Sequence, residues 1–229
     1  MEMISLVLTT FNRPCQLLET LHSIDRQHIM NQEIIVVDDG TDDHTGDICD
    51  AFNAKWIRLE RKQSAHYRNQ ARPLNVGIKA AQGDIIILQN AECKHVGEHA
   101  IRDLSGRVTW NNAVFAHVTA MNQDGTHGIC YCGPENLRPY FFCGAIRREW
   151  LMKLRGFDED YQGYGYEDDC MADRLRRSGV TFEFTDIEVE HQWHEPAGLQ
   201  GDLSKGEAMY AAKRGTSVAR NLGREWGVP

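Results

Sequence analysis

Glu33-Ile34-Ile35-Val36-Val37-Asp38-Asp39-Gly40-Thr41-Asp42-Asp43 is the stretch on which the fold turns. Its apolar, largely β-branched start has the length of a buried strand, and it stops abruptly in acids, glycine and threonine. Two carboxylates directly after a buried strand are costly unless something pairs with them. Asp38 and Asp39 therefore have two roles open to them. Asp, Gly and Thr favour a turn and a helix N-cap, and a carboxylate there can equally accept hydrogen bonds from a nucleobase or ribose.

Outward from this stretch the same pattern repeats. Ile4–Leu8 is an apolar run that opens into Thr9-Thr10-Phe11-Asn12-Arg13-Pro14, and Pro14–His28 carries Leu17, Leu18, Leu21 and Ile24 at helical spacing. Downstream, Asp43–Phe52 predicts a short helix, Lys55–Leu59 a third strand and Pro73–Ala81 a helix that Gly83 stops. Asp84–Leu88 predicts a fourth strand ending at Gln89-Asn90-Ala91-Glu92. Strand and helix alternate, as in a parallel sheet with helices on both faces. In such sheets ligands sit beyond the carboxyl ends of the strands, which is where Thr9–Arg13, Asp38–Asp43 and Asn90–His95 fall.

The second half is less regular. Strands are predicted at Ala113–Met121, Gly128–Tyr131, Phe182–Phe184 and Ile187–Val189, and helices at Glu149–Leu154 and Asp168–Ser178, while Phe141–Ile146 is another apolar run. Lys205–Trp226 is polar and reads as a helix broken by glycines. No repeat, low-complexity tract or clear linker interrupts the chain, so one compact domain with a tail is expected.

Three further segments carry chemistry. In Asn90-Ala91-Glu92, alternate residues can point the same way; a glutamate oxygen suits Mg²⁺ or Mn²⁺, and an asparagine can bond a ribose without adding charge. His95 could add to that group. In Gly163-Tyr164-Gly165-Tyr166-Glu167-Asp168-Asp169, the acids suit the N-terminus of the following helix. The glycines and rings before them read as a loop that packs on a ligand and presents a general base. Finally, His191-Gln192-Trp193-His194 follows a strand, and imidazole binds transition metals.

The composition bounds these roles. With 229 residues and 41% hydrophobic, the chain can bury a core. No apolar run approaches the roughly 20 residues of a membrane span, and the start lacks a signal-peptide pattern, so a soluble cytoplasmic protein is expected. The net charge of −8 argues against a broad grip on nucleic acid. Two basic clusters (Arg58, Arg61, Lys62, Arg68, Arg72; and Arg147, Arg148, Lys153, Arg155) leave a nucleic-acid partner open. Seven irregularly spaced cysteines read as reduced thiols. His127, Cys130, Cys132 and Cys143 could be drawn as a zinc site, but the Cys-x-Cys spacing is unusual for one.

Taken in order, these segments resemble the metal-dependent glycosyltransferases of the GT-A fold, close to glycosyltransferase family two. The resemblance runs through the Thr-Thr-Phe-Asn-Arg loop, Val-Val-Asp-Asp-Gly-Thr-Asp-Asp, Ala71-Arg72-Pro73-Leu74-Asn75-Val76-Gly77 and Gly83-Asp84. A galactosyltransferase-type C-terminal region follows in Phe142-Cys143-Gly144-Ala145-Ile146-Arg147-Arg148, Gly156-Phe157-Asp158-Glu159 and Gly165-Tyr166-Glu167-Asp168-Asp169. It implies an α/β GT-A fold with a mostly parallel central sheet. One domain would span 1–204, with a nucleotide-binding half at 1–95, an acceptor half at 96–204 and a helical tail at 205–229. It implies that Thr9, Phe11, Arg13, Asp38 and Asp39 hold base and ribose, with Arg72 and Asn75 on the diphosphate side and Asn90 beside the donor. Glu92, His191 and His194 would bind Mn²⁺ (or Mg²⁺). Asp168 would be the general base, and Glu167 would hold acceptor or donor sugar. The partners implied are a nucleotide-diphosphate sugar, UDP-linked by preference, and a saccharide or other hydroxyl acceptor, with inversion. One departure stands out: Asn90-Ala91-Glu92 replaces Asp-x-Asp. The rivals are a non-catalytic glycan- or nucleotide-binding module, a transferase acting on modified DNA bases, and a nucleotidyltransferase. The last needs a Gly-rich, Lys-bearing phosphate loop, which Thr9–Arg13 is not.

Overall fold

The computed structural model describes residues 2–41, 43–60, 69–161, 163, 165–195 and 203–229. Asp42, Tyr164, and Arg61, Lys62 and Arg68 of the first basic cluster lie outside them.

The parallel half forms as the alternation predicts. β1 (Ile4–Thr10), β2 (Gln32–Asp38), β3 (Lys55–Arg58) and β4 (Ile85–Asn90) are joined by α1 (Pro14–Asp25), α2 (Thr45–Ala51) and α3 (Ala71–Ala80). β1 lies between β2 and β4, parallel to both, and β3 flanks β2. The register puts Thr10 opposite Asp38 and Thr9 opposite Asn90, so three carboxyl ends finish side by side. β1 and β4 are buried along their whole length, which is why they read as unbroken apolar runs. Gly77 lets α3 settle onto the sheet, since a Cβ there would stand 2.2 Å from Val7 Cγ1.

Beyond β4 the sheet is mixed. β5 (Cys93–His95), α4 (Ala100–Gly106), β6 (Asn112–Met121), β7 (His127–Cys132), β8 (Cys143–Arg147), α5 (Arg148–Leu154), α6 (Glu167–Arg177), β9 (Thr181–His191) and α7 (Ser204–Lys213) follow. The strand order is β3-β2-β1-β4-β8-β6-β9-β5, with β7 on β6. β8 runs antiparallel to β4 and β6, and β9 returns parallel to β6. Phe115 of β6 is buried at the centre of this half, with Phe141, Phe182 and Phe184 around it.

Three expectations change. The two short strands at 182–184 and 187–189 are one strand, β9. The polar Thr185-Asp186 that divides them in sequence sits at a register shift, where the Thr185 hydroxyl donates to Phe115 O at 3.0 Å. The tail is helical only to Lys213. After it, Arg155 donates to the carbonyls of Arg220, Asn221 and Arg224, and Gly215, Asn221 and Gly223 take positive φ, so the backbone cannot continue a helix. The second basic cluster, left open as a partner surface, makes intramolecular contacts. Arg147 pairs with Glu2 at 2.6 Å, Arg148 donates to Ala81 O and Lys153 lies over Trp150. Among the described residues, no helix is long and apolar enough to cross a membrane.

Candidate active site

Asp38 is fully buried at the end of β2. Its Oδ1 accepts from Thr41 N at 2.9 Å and from the Thr41 hydroxyl at 2.8 Å, while its buried Oδ2 has no hydrogen-bond partner among the described residues. One oxygen thus makes the turn that the sequence allows, and the other is left without a partner among the described residues. Asp39, Thr9 and Asn90 are buried beside it, and the Thr9 hydroxyl donates to Gln70 Oε1 at 3.4 Å. Phe11 is half-buried in the loop that follows β1.

Glu92, Arg13 and His194 converge although the chain separates them widely. Glu92 Oε1 lies 3.4 Å from Arg13 Nε and 3.7 Å from His194 Nε2. Arg13 Nη2 stands 2.9 Å from His194 Nδ1 and donates to Glu195 O at 3.1 Å. Arg13, expected on the base and ribose, thus sits on the glutamate side of the site. His191 follows from strand pairing: it lies opposite Cys93, next to Glu92, and its ring centroid is 5.3 Å from that of His194. The rings of Tyr131 and Phe142 flank it. Burial lowers the pKa of His191, partly countered by the Glu92 charge, which favours the neutral imidazole that binds metals.

Those residue types suit a hard-to-borderline divalent cation. A cation gripped by both Glu92 and His194 requires Arg13 to turn away from them. Among the described residues, Glu92, His191 and His194 are not drawn into one tight cluster of ligand atoms; His117, Cys130 and Glu135 are, within 4.8 Å of one another. His95 does not join Glu92. It is buried, its Nε2 is 2.9 Å from Gln89 Oε1, and burial takes its pKa down to about 4.

The acids open α6. Burial, then the neighbouring Glu167 charge, pushes the Asp168 pKa well up, and a backbone N–H of Phe141 partly offsets this. Burial likewise raises Glu167, against a 3.1 Å bond from Asn69 Nδ2. Tyr166, just before them, has φ +68°, a left-handed conformation unusual for a bulky residue and of a kind that clusters at functional sites. Arg138 approaches Asp169 at 3.9 Å.

Two residues expected in the donor pocket stand elsewhere. Asn75 is fully buried; its Nδ2 donates to Phe157 O and Glu159 Oε1, and its Oδ1 accepts from Phe157 N. With both amide atoms used, it clamps α3 to the segment after α5 and has nothing left for a phosphate. Arg72 donates to Val228 O at 3.3 Å in the C-terminal tail. Asn69 and Gln70 went unnoticed in the sequence. Asn69 Oδ1 caps Ala71 N while its Nδ2 holds Glu167 and Gly163 O; an Asn two residues before a helix was the available signal.

The mixed α/β sheet, with acids gathered at the carboxyl ends of its parallel strands, is a GT-A-type fold. The sequence model described as glycosyl transferase family 2 matches residues 5–130, and one described as N-terminal domain of galactosyltransferase matches residues 132–196. The chain belongs to glycosyltransferase family 2. It is 32% identical over 130 residues to "Glycosyltransferase GlyG" of Streptococcus pneumoniae, covering 57% of this chain and 43% of that protein. To human "Beta-1,4-galactosyltransferase 3" it is 29% identical over 129 residues, covering 54% of this chain and 30% of that one. It thus spans less than half the length of these curated relatives. Glucosyl-3-phosphoglycerate synthase from Mycobacterium tuberculosis, solved with Mn²⁺, UDP and glucosyl-3-phosphoglycerate, shares the fold. Its TM-score is 0.69 and its identity 19%, over 94% of this chain and 81% of that one.

Proposed function

We propose that the chain transfers a sugar from a nucleotide-diphosphate donor, a UDP-sugar by first preference, to an acceptor hydroxyl with inversion, aided by Mn²⁺ or Mg²⁺. The observation that carries this is a run of contacts that links the proposed site residues. Thr9 reaches Gln70; its neighbour Asn69 holds Glu167; Phe141 N–H meets Asp168; Phe142 flanks His191; and His191 neighbours the Glu92–His194–Arg13 group. Asp168 and the Glu92–His194–Arg13 group are thereby linked through the consecutive residues Phe141 and Phe142.

Each residue has a task. Asp38 Oδ2 and Asp39 receive the donors of base or ribose, and Asn90 sits beside them. Glu92, with His194 and His191, would hold the divalent ion, whose charge would offset that developing on the leaving diphosphate. Asp168 takes the proton of the acceptor hydroxyl as it attacks the anomeric carbon, and its raised pKa makes it a stronger base than a solvated aspartate. Glu167, anchored by Asn69, hydrogen-bonds sugar hydroxyls. The organised relatives support the donor class: glucosyl-3-phosphoglycerate synthase was solved with UDP and Mn²⁺, and a mannosyltransferase from Pyrobaculum calidifontis with GDP-Man and Mn²⁺.

The direct test is a thermal-shift screen of nucleotide-sugars with Mn²⁺, followed by donor turnover with and without the metal. Metal-dependent turnover that Asp168→Asn abolishes supports the assignment; turnover unchanged in Asp168→Asn removes it.

A further inference from the structure

A second group of metal-ligating side chains lies on the β6–β7 hairpin. His117 comes from β6, Cys130 from β7 and Glu135 from the turn after β7, and one ligand atom of each lies within 4.8 Å of the other two. His117 Nε2 and Glu135 Oε2 are 3.8 Å apart. Imidazole, thiolate and carboxylate together match the preferences of zinc, and three protein ligands leave a fourth position for water or a further group.

The backbone holds this arrangement in place. Gly133 and Asn136 exchange N–H···O bonds of 3.1 Å in both directions, which fixes the turn bearing Glu135. Asn136 Nδ2 then donates to the carbonyls of Cys130 and Tyr131, both at 3.0 Å, drawing the turn onto the strand that carries the thiol. Gly133, at φ +151°, lies against the His117 ring so closely that a Cβ would stand 2.6 Å from Cδ2. The set that could be drawn in sequence, against its unusual Cys-x-Cys spacing, is a different one. Of His127, Cys130, Cys132 and Cys143, the two last are fully buried, and His127 lies 3.9 Å from Glu190.

We propose that His117, Cys130 and Glu135 form a binding site for a zinc-class divalent cation, separate from the donor site. Binding releases the Cys130 thiol proton to solvent and joins β6, β7 and the 133–136 turn. Tyr131, next to Cys130, packs its ring 5.2 Å from that of His191, so the clamp stiffens the strand behind the donor site.

The test uses the full chain, stripped with a chelator and titrated with Co²⁺ as a spectroscopic probe. The expected result is a near-ultraviolet thiolate-to-cobalt charge-transfer band that saturates at one equivalent and is displaced by Zn²⁺. It should vanish in Cys130→Ser. In Glu135→Gln, an exposed change that leaves folding intact, affinity should drop more than about tenfold, since even outer-shell partners are worth that much. Absence of the band in the parent chain overturns the site, as does a band that survives in Cys130→Ser. Mn²⁺-dependent donor binding retained in Cys130→Ser separates this site from the donor site.

Discussion

In the general-base role proposed for it, Asp168 would gain from a burial that costs stability. Ionising it in place is uphill, so the folded chain keeps its proton to a higher pH than the unfolded chain does. Between the ordinary aspartate pKa and the raised one, stability therefore falls as pH rises. Asp168→Asn removes that burden, and an increase in Tm of roughly 2–4 °C is expected for each 1 kcal/mol relieved. Turnover should fall about 10²–10⁴-fold, the usual contribution of a general base. Differential scanning calorimetry and donor turnover measured on the same sample check both parts, and an unchanged or lowered Tm contradicts the burial argument. The base acts only when ionised, so the acidic limb of the rate profile should lie above the pH at which a solvated aspartate titrates. A limb at the ordinary aspartate value would mean the carboxylate is hydrated during turnover.

Glu92 makes the complementary case. Glu92→Gln keeps the shape but removes the charge that Arg13 and His194 face. The Mn²⁺-dependent part of the thermal shift given by a nucleotide-sugar should disappear, a loss of about 2.7 kcal/mol at a ligand concentration one hundred times Kd. A shift of undiminished size with Mn²⁺ would place the ion elsewhere.

At the scale of elements, the tightest joint is α3 on β1. Gly77→Ala would place a methyl 2.2 Å from Val7 Cγ1, an overlap that only movement of the helix or of Val7 can relieve. Overpacking of this kind costs about 1–3 kcal/mol. Val7→Ala in the same chain should recover part of the loss, and denaturant unfolding of the two single variants and the double variant would read the coupling. α3 also positions Asn69 and Gln70 at its start, so a displaced helix should lower turnover as well as stability. The mixed half of the sheet was harder to foresee for a related reason: β5 is three residues long and, among the described residues, pairs only with β9, about a hundred residues away in sequence. Local periodicity carries no trace of such a pairing.

For the whole molecule, the C-terminal segment acts as a strap. Asp158 is 1% exposed in its side chain, with Lys213 Nζ at 2.7 Å and Arg220 Nε at 3.0 Å. The fully buried Arg174 donates to the carbonyls of Leu154, Gly156 and Val218. Arg220→Ala leaves a buried carboxylate with one cation fewer, and about 1–3 kcal/mol of stability should be lost. Urea unfolding would show this as a lower midpoint at unchanged slope, and no change would mean that Lys213 alone satisfies Asp158.

Much of this was legible along the chain. Apolar runs closed by Thr9–Arg13, Asp38-Asp39 and Asn90–Glu92 set the parallel half of the sheet and put polar residues at its carboxyl edge, because strand burial and strand endings are local properties. Glu167 and Asp168 stood out because capping explains the acids at a helix start but not the glycines and aromatic rings before them. The tertiary structure alone decided which candidates meet. It joined Arg13 to Glu92 and His194, tied Asn75 to the segment after α5 and Arg72 to the C-terminal strap, and brought His117 together with Cys130 and Glu135 rather than with the cysteines nearest in sequence. A side chain's residue type and local backbone are written in its neighbours, but its partners depend on pairings between strands and on a tail that closes over them. The free energy of those contacts is shared among residues that no sequence spacing connects.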